Sequence, residues 1–140
     1  MIKVAGVWDF GWNTPIKEIE LWEYPLKDYG VDQFIMSPIS GIANNYVIEV
    51  ADLGVYINDQ RTSGYTIVFL DEKATTTLND FVHPVDNVLY VFGKAAFSAL
   101  TAYGQSGDSA LKIITPNNLG NLWPHQAAVL VLNDRFTKGL

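Results

Sequence analysis

The stretch Phe81-Val82-His83-Pro84-Val85-Asp86-Asn87-Val88-Leu89-Tyr90-Val91-Phe92-Gly93 decides the reading of this chain. From Val88 to Phe92 it runs through β-branched, aliphatic and aromatic side chains without a polar interruption. A strand with this pattern is buried on both faces, as central strands are in a parallel sheet covered by helices. Tyr65 to Leu70 has the same character. Val4 to Phe10, Val31 to Met36 and Leu111 to Thr115 are further strand candidates, and helix-like segments lie between the runs. The expectation is an α/β fold with a mostly parallel sheet flanked by helices.

Between the first two strands, Asn13-Thr14-Pro15 reads as a helix start, because a proline in the first turn loses no hydrogen bond. Ile19, Trp22, Leu26 and Tyr29 follow at spacings of three and four, which places them on one helical face. Pro25 should kink or divide this helix, and Gly30 suits its left-handed stop. Ser37-Pro38 through Gly41 reads as a loop. A short helix is expected from about Ala43 to Leu53, ended by Gly54, with Asn58 to Gly64 as a polar loop. Leu122 to Phe136, rich in alanine and leucine, reads as a buried helix.

The length, 140 residues with 49% hydrophobic, fits a single domain spanning residues 1–140. Charged residues are only 17% and aromatics reach 13%, so part of the apolar surface is expected to be covered by a partner. Trp8, Trp12 and Trp22 are the expected contact residues, and a homodimer the expected state. The formal net charge of -6 has the wrong sign for a binder of phosphate backbones, which disfavours RNA as a partner. The absence of cysteine removes thiolate metal sites, iron–sulfur clusters and disulfides. The N-terminus lacks the pattern of a signal peptide, and no apolar run is long enough to span a membrane. The expected location is the cytoplasm, with no metal and no membrane association.

Phosphate-binding, zinc-protease and hydrolase fingerprints are absent. Gly104-Gln105-Ser106-Gly107 lacks the lysine of a phosphate cradle and reads as a flexible loop. His83 precedes proline and reads as an exposed turn residue, and His125 as an unremarkable residue near a helix start. The acidic Lys17-to-Glu23 stretch reads as a solvated helix face. Asp9, ending the first strand candidate, sits where α/β folds place ligand contacts.

The 81–93 stretch resembles the F-x-H-P-E-x-A-x-Y-x-F-G motif in one branch of the SPOUT class of S-adenosylmethionine (AdoMet)-dependent RNA methyltransferases. Ile113-Ile114-Thr115-Pro116, then Gly120-Asn121-Leu122 and the run ending Val131-Leu132-Asn133-Asp134-Arg135, is similar to that class's last motif. Asn13 and Tyr29-Gly30-Val31-Asp32 are similar to its first. The resemblance implies a C-terminal trefoil knot, a homodimer, and AdoMet held by loop backbone, with Gly93, Ile114, Pro116, Gly120, Leu122 and Trp123 at the cofactor and Asn13 and Tyr24 as the catalytic candidates.

The sequence also departs from the class. Tyr24 stands where the first helix should carry its arginine. Gly93-Lys94-Ala95-Ala96-Phe97-Ser98 lacks the acid and second glycine of the cofactor loop, and Trp123 replaces the asparagine of the last motif. Two functions therefore stand side by side: a catalytically impaired or repurposed dimeric binding or protein-interaction module, and an active AdoMet-dependent tRNA or rRNA methyltransferase with altered catalytic residues.

Overall fold

A computed structural model describes residues 1–9, 15–41, 44–120 and 122–140, without the side chain of Pro15. Six strands, β1 (Ile2–Val7), β2 (Gln33–Ser37), β3 (Val47–Glu49), β4 (Thr66–Leu70), β5 (Val88–Phe92) and β6 (Ser109–Leu111), form one sheet in the order β3-β2-β1-β5-β4-β6. Every pairing is parallel. The helices are α1 (Pro15–Asp28), α2 (Leu53–Thr62), α3 (Ala99–Tyr103) and α4 (Pro124–Thr137). All five residues of β5 are buried, as its unbroken apolar sequence requires.

Alternate residues of the strands feed two cores. On one face Val4, Phe34, Tyr90 and Phe92 pack with Ile19, Trp22 and Leu26 of α1 and Ala128, Val131 and Leu132 of α4. On the other, Ala5, Ile35, Phe69, Leu89 and Val91 pack with Leu53 and Ile57 of α2 and Ala99 of α3. Trp22 stacks on Phe34, centroids 5.3 Å apart, and meets Phe92 edge-on at 6.0 Å. Trp8 and Trp22, expected on a contact surface, are instead 0% and 2% exposed. Part of the aromatic content thus lies within this chain's own core; Trp12 lies outside the described residues.

The termination of α1 follows the sequence. Gly30 has φ +74°, and the Gly30 and Val31 amides donate to the Lys27 and Leu26 carbonyls in a Schellman closure. Pro25, however, does not divide the helix. An interior proline costs about 3 kcal/mol, and burial of Trp22 and Leu26, at about 1.5–3 kcal/mol each, outweighs it.

The 43–64 region departs most from expectation. Val47–Glu49 is a strand, favoured by β-branched Val47 and Ile48, and the helix begins only at Leu53, where the Asp52 carboxylate caps the Val55 amide at 3.2 Å. Asn58 to Thr62 is helical, not loop. Gly54 lies inside this helix because a Cβ there would meet the Tyr103 ring at 2.9 Å, and Gly64, at φ +93°, follows its end. The first strand spans Ile2–Val7 and the second Gln33–Ser37, while the last ends at Leu111, after which Lys112 bridges to Thr77. No helix among the described residues is long and apolar enough to cross a membrane.

Replacing Trp22 with Ala should cost about 3–5 kcal/mol in urea unfolding, the range for a core aromatic. Tyr24→Ala, two residues from both Trp22 and Leu26 and so on the opposite face of α1, 69% exposed, should stay within about 0.5 kcal/mol of the parent.

Candidate functional site

The sheet winds in two directions from its centre. β1 leads through α1 to β2 on one side, and β5 leads through α3 on the opposite face to β6 on the other. The carboxyl ends of β1 and β5 therefore flank the switch point, where open α/β sheets form their ligand crevice. Here the chain after β5 turns sharply. The Lys94 amide donates to the Phe97 carbonyl at 3.2 Å, the Phe97 amide returns to the Lys94 carbonyl at 2.9 Å, and Ala96 takes φ +64°. The Phe97 carbonyl lies 2.4 Å from where a Cβ on Gly93 would stand, so only glycine fits there. The Lys94 ammonium crosses to the β1 side and donates to the Trp8 carbonyl at 2.8 Å.

Beside it, Glu18 of α1 accepts the Asp9 amide with both carboxylate oxygens, at 2.8 and 3.0 Å. Glu18 is 3% exposed, contrary to the expected solvated face. Burial pushes its carboxyl above the ordinary range, against the opposing effects of the Asp9 amide and Lys94. The signal was in the spacing, since Glu18 stands four residues before Trp22 and eight before Leu26 and shares their helix face. On the far side of Trp8, its indole donates to Glu49 at 3.1 Å, and Ser40 donates to the same carboxylate through its hydroxyl at 2.6 Å.

The predicted cofactor residues of the last motif lie in the chain between β6 and α4. Ile114 is 60% exposed, Leu122 and Trp123 are each 38% exposed, Pro116 is exposed, and Gly120 is exposed with φ +67°. Trp123 precedes α4, with Pro124 in the first helical position and the Gln126 side chain accepting the Trp123 amide at 3.0 Å. Tyr24 lines an open cleft of about 550 Å³ with Pro25, Lys27 and Asp28. A second cleft, of about 420 Å³, lies between Ile2, Tyr29, Leu132 and Phe136. Neither contains a predicted cofactor residue. Asn13, the other catalytic candidate, lies outside the described residues.

A separate polar network joins the two halves of the recognised motifs. His83, expected to be exposed, is 5% exposed. Its Nδ1 lies 2.7 Å from the Tyr90 hydroxyl and its Nε2 2.7 Å from Asp134. Arg135 donates to the carbonyls of Pro84 and Val85 at 2.5 and 2.6 Å and to the Tyr90 oxygen at 3.2 Å. Lys138 pairs with Asp134 at 2.8 Å and caps the carbonyls of Leu78, Asn79 and Phe81. The network assigns the tautomer: Asp134 can only accept, so His83 Nε2 carries the proton and Nδ1 accepts from Tyr90. A second proton would leave Nδ1 facing an oxygen that already accepts from Arg135. Burial accordingly lowers the His83 pKa although Asp134 alone would raise it. Burial would raise the Asp134 pKa, but its bonds from Lys138 and His83 hold it below the usual carboxylate range.

No family model and no curated protein matches this sequence. The fold, by contrast, is matched by solved structures. The SpoU methyltransferase AviRb from Streptomyces viridochromogenes superposes with a TM-score of 0.74 at 16% identity, over 98% of this chain and 59% of that one. An AdoMet-bound rRNA methyltransferase from Sinorhizobium meliloti gives 0.76 at 12% identity, over 99% and 56%. A putative RNA methyltransferase from Bacillus anthracis gives 0.70 at 9% identity, over 99% and 94%. The chain thus spans little more than half the length of the first two. The fold is that of the SPOUT-class RNA methyltransferases.

The lowered His83 pKa fixes a direction. Between the ordinary histidine value near 6.5 and the lower folded one the unfolded chain binds more protons, so stability is complete above about pH 6.5 and falls as pH drops below it. Urea midpoints measured at pH 7.5, 6.5 and 5.5 should decline. His83→Gln should be less stable at pH 7.5 and show a flatter decline, the remainder coming partly from His125, whose pKa burial also lowers.

Proposed function

We propose that this chain is a methyltransferase-like protein of SPOUT fold in which the cofactor loop has been remodelled, leaving it catalytically impaired and repurposed as a dimeric binding or interaction module. One observation carries the reading: the loop after β5 is closed on itself. AdoMet held by loop backbone needs free amides and carbonyls and an open face at Gly93. Here the Lys94 and Phe97 amides and carbonyls bond one another, and the Phe97 carbonyl fills the space beside Gly93. The residues present do not fit the cofactor in that manner. Tyr24, at the place of the family arginine, is a solvent-facing phenol on a different part of α1 from the crevice that Glu18 adjoins.

The trefoil knot belongs to the same reading. Lys112, after β6, bridges to Thr77 in the long segment between β4 and β5, and Arg135 and Lys138 hold that segment from α4. The homodimer is supported by exposed apolar side chains on the outer faces of the two packed helices, Tyr24 on α1 with Leu130 and Phe136 on α4. RNA is disfavoured by charge placement as well as by charge sum. Arg61 pairs with Asp108, Lys27 with Glu23 and Lys138 with Asp134, while Arg135, Lys94 and Lys3 donate to Pro84, Trp8 and Gln60. The active-methyltransferase reading draws on the AdoMet-bound rRNA methyltransferase that shares this fold.

Calorimetry of the parent protein with AdoMet and S-adenosylhomocysteine separates the two. The remodelled loop predicts no binding at about 10 μM protein, and a dissociation constant below about 10 μM would establish an open cofactor site instead. Multi-angle light scattering should report about twice the 15.6 kDa chain mass, and a monomer at tens of micromolar would remove the dimer from the reading.

A further inference from the structure

We propose that His83 is an acid-sensitive joint: the uptake of one proton by its ring releases the 78–85 segment from the last turns of α4 while the sheet stays intact. The joint is separate from the loop after β5, and it locates, within the acid sensitivity of the whole chain, the part that opens first.

The segment is the 3₁₀ turn Leu78–Asp80 followed by chain that belongs to no strand or helix until Val88. Lys138 donates to its carbonyls at Leu78, Asn79 and Phe81, and Arg135 to those at Pro84 and Val85. Its amides at Asp80 and Phe81 turn back on the Thr77 and Leu78 carbonyls. Its other holds are the buried Phe81 side chain, Leu78 packed against the same core, the Leu78 amide on the Lys112 carbonyl and, just beyond its far end, Asp86 against the N-terminal ammonium. Val82 and Val85 are 87% and 76% exposed. Releasing the segment therefore uncovers little apolar surface besides Phe81 and Leu78, whereas opening the sheet uncovers both cores, so the local event is the cheaper one.

The titratable and charged groups facing the ring are Asp134, Arg135 and Lys138 from α4 and Tyr90 from β5; its own segment adds the uncharged Phe81 ring, edge-on at 5.0 Å. With His83 neutral this cluster has two cations and one anion. A second proton makes it three against one and turns Nδ1 from an acceptor into a donor. The Tyr90 oxygen it then faces already accepts from Arg135, and the Tyr90 hydroxyl, on a residue 1% exposed, loses the acceptor for its own proton. Once released, the ring reaches water and binds the proton at its ordinary value, whereas burial holds it lower in the closed joint. Acid thus favours release. One histidine of ordinary value about 6.5 shifts such an equilibrium by at most about tenfold between pH 7.5 and 5.5.

Hydrogen exchange at those two pH values, corrected for intrinsic rates, reads the opening. Peptides covering 78–85 and the last turns of α4 should open severalfold more at pH 5.5, within that tenfold ceiling, while β1 and β5 keep the same protection. His83→Gln should abolish the response and His125→Gln should retain it. Should His83→Gln fail to fold, the ring resonances of His83 in the parent decide, and they should titrate below pH 6.5. An equal change in β5 overturns the local joint, and so does a segment that ignores pH or still responds in His83→Gln. A folded-state midpoint at or above 6.5 removes its driving force and overturns it as well.

Discussion

The guanidinium of Arg135 organises the molecule. A charge 7% exposed is tolerable only where its donors are met, and the Pro84 and Val85 carbonyls and the Tyr90 oxygen meet them. Those acceptors come from the segment between β4 and β5 and from β5 itself. Meeting the charge therefore fixes α4 against the middle of the sheet and pins a long irregular segment to it. His83 and Asp134 extend the same requirement by one link each, and Lys138 closes it over the carbonyls near the 3₁₀ turn Leu78–Asp80.

This explains why the class of fold is readable from so diverged a sequence. The residues that carry the resemblance, His83, Tyr90, Asp134 and Arg135, are the ones that satisfy each other here. Each is constrained by partners remote in sequence, so altering one leaves a buried polar group unmet. Of the residues that depart from the class, Ala95, Ala96 and Trp123 lie in exposed connecting chain and Tyr24 on the exposed face of α1, where the sheet and its cores impose no such demand, while Lys94 is half-buried. Identity of 9–16% to proteins of the same fold is what that division produces.

Legibility followed the same physics. β4 and β5 were plain because a strand buried on both faces leaves no polar residue to obscure it, and the end of α1 because Gly30 permits the left-handed closure. The 43–64 region was opaque. Its helix start depended on Asp52 acting as a cap, and Gly54, which imitates a stop, is there to admit the Tyr103 ring. The site was harder still. His83 looked like a turn residue because its burial depends on Asp134, 51 positions away, and no local pattern reveals that Lys94 would reach Trp8.

Three of the cations of this protein look inward. Lys3 lies 4.3 Å from the Tyr65 ring centre, and Lys94 and Arg135 end on backbone carbonyls. Their charge is counted in the net -6 but is placed where an approaching molecule meets it last. At a net charge of -6 two copies of the chain repel one another, and dissolved salt screens that repulsion.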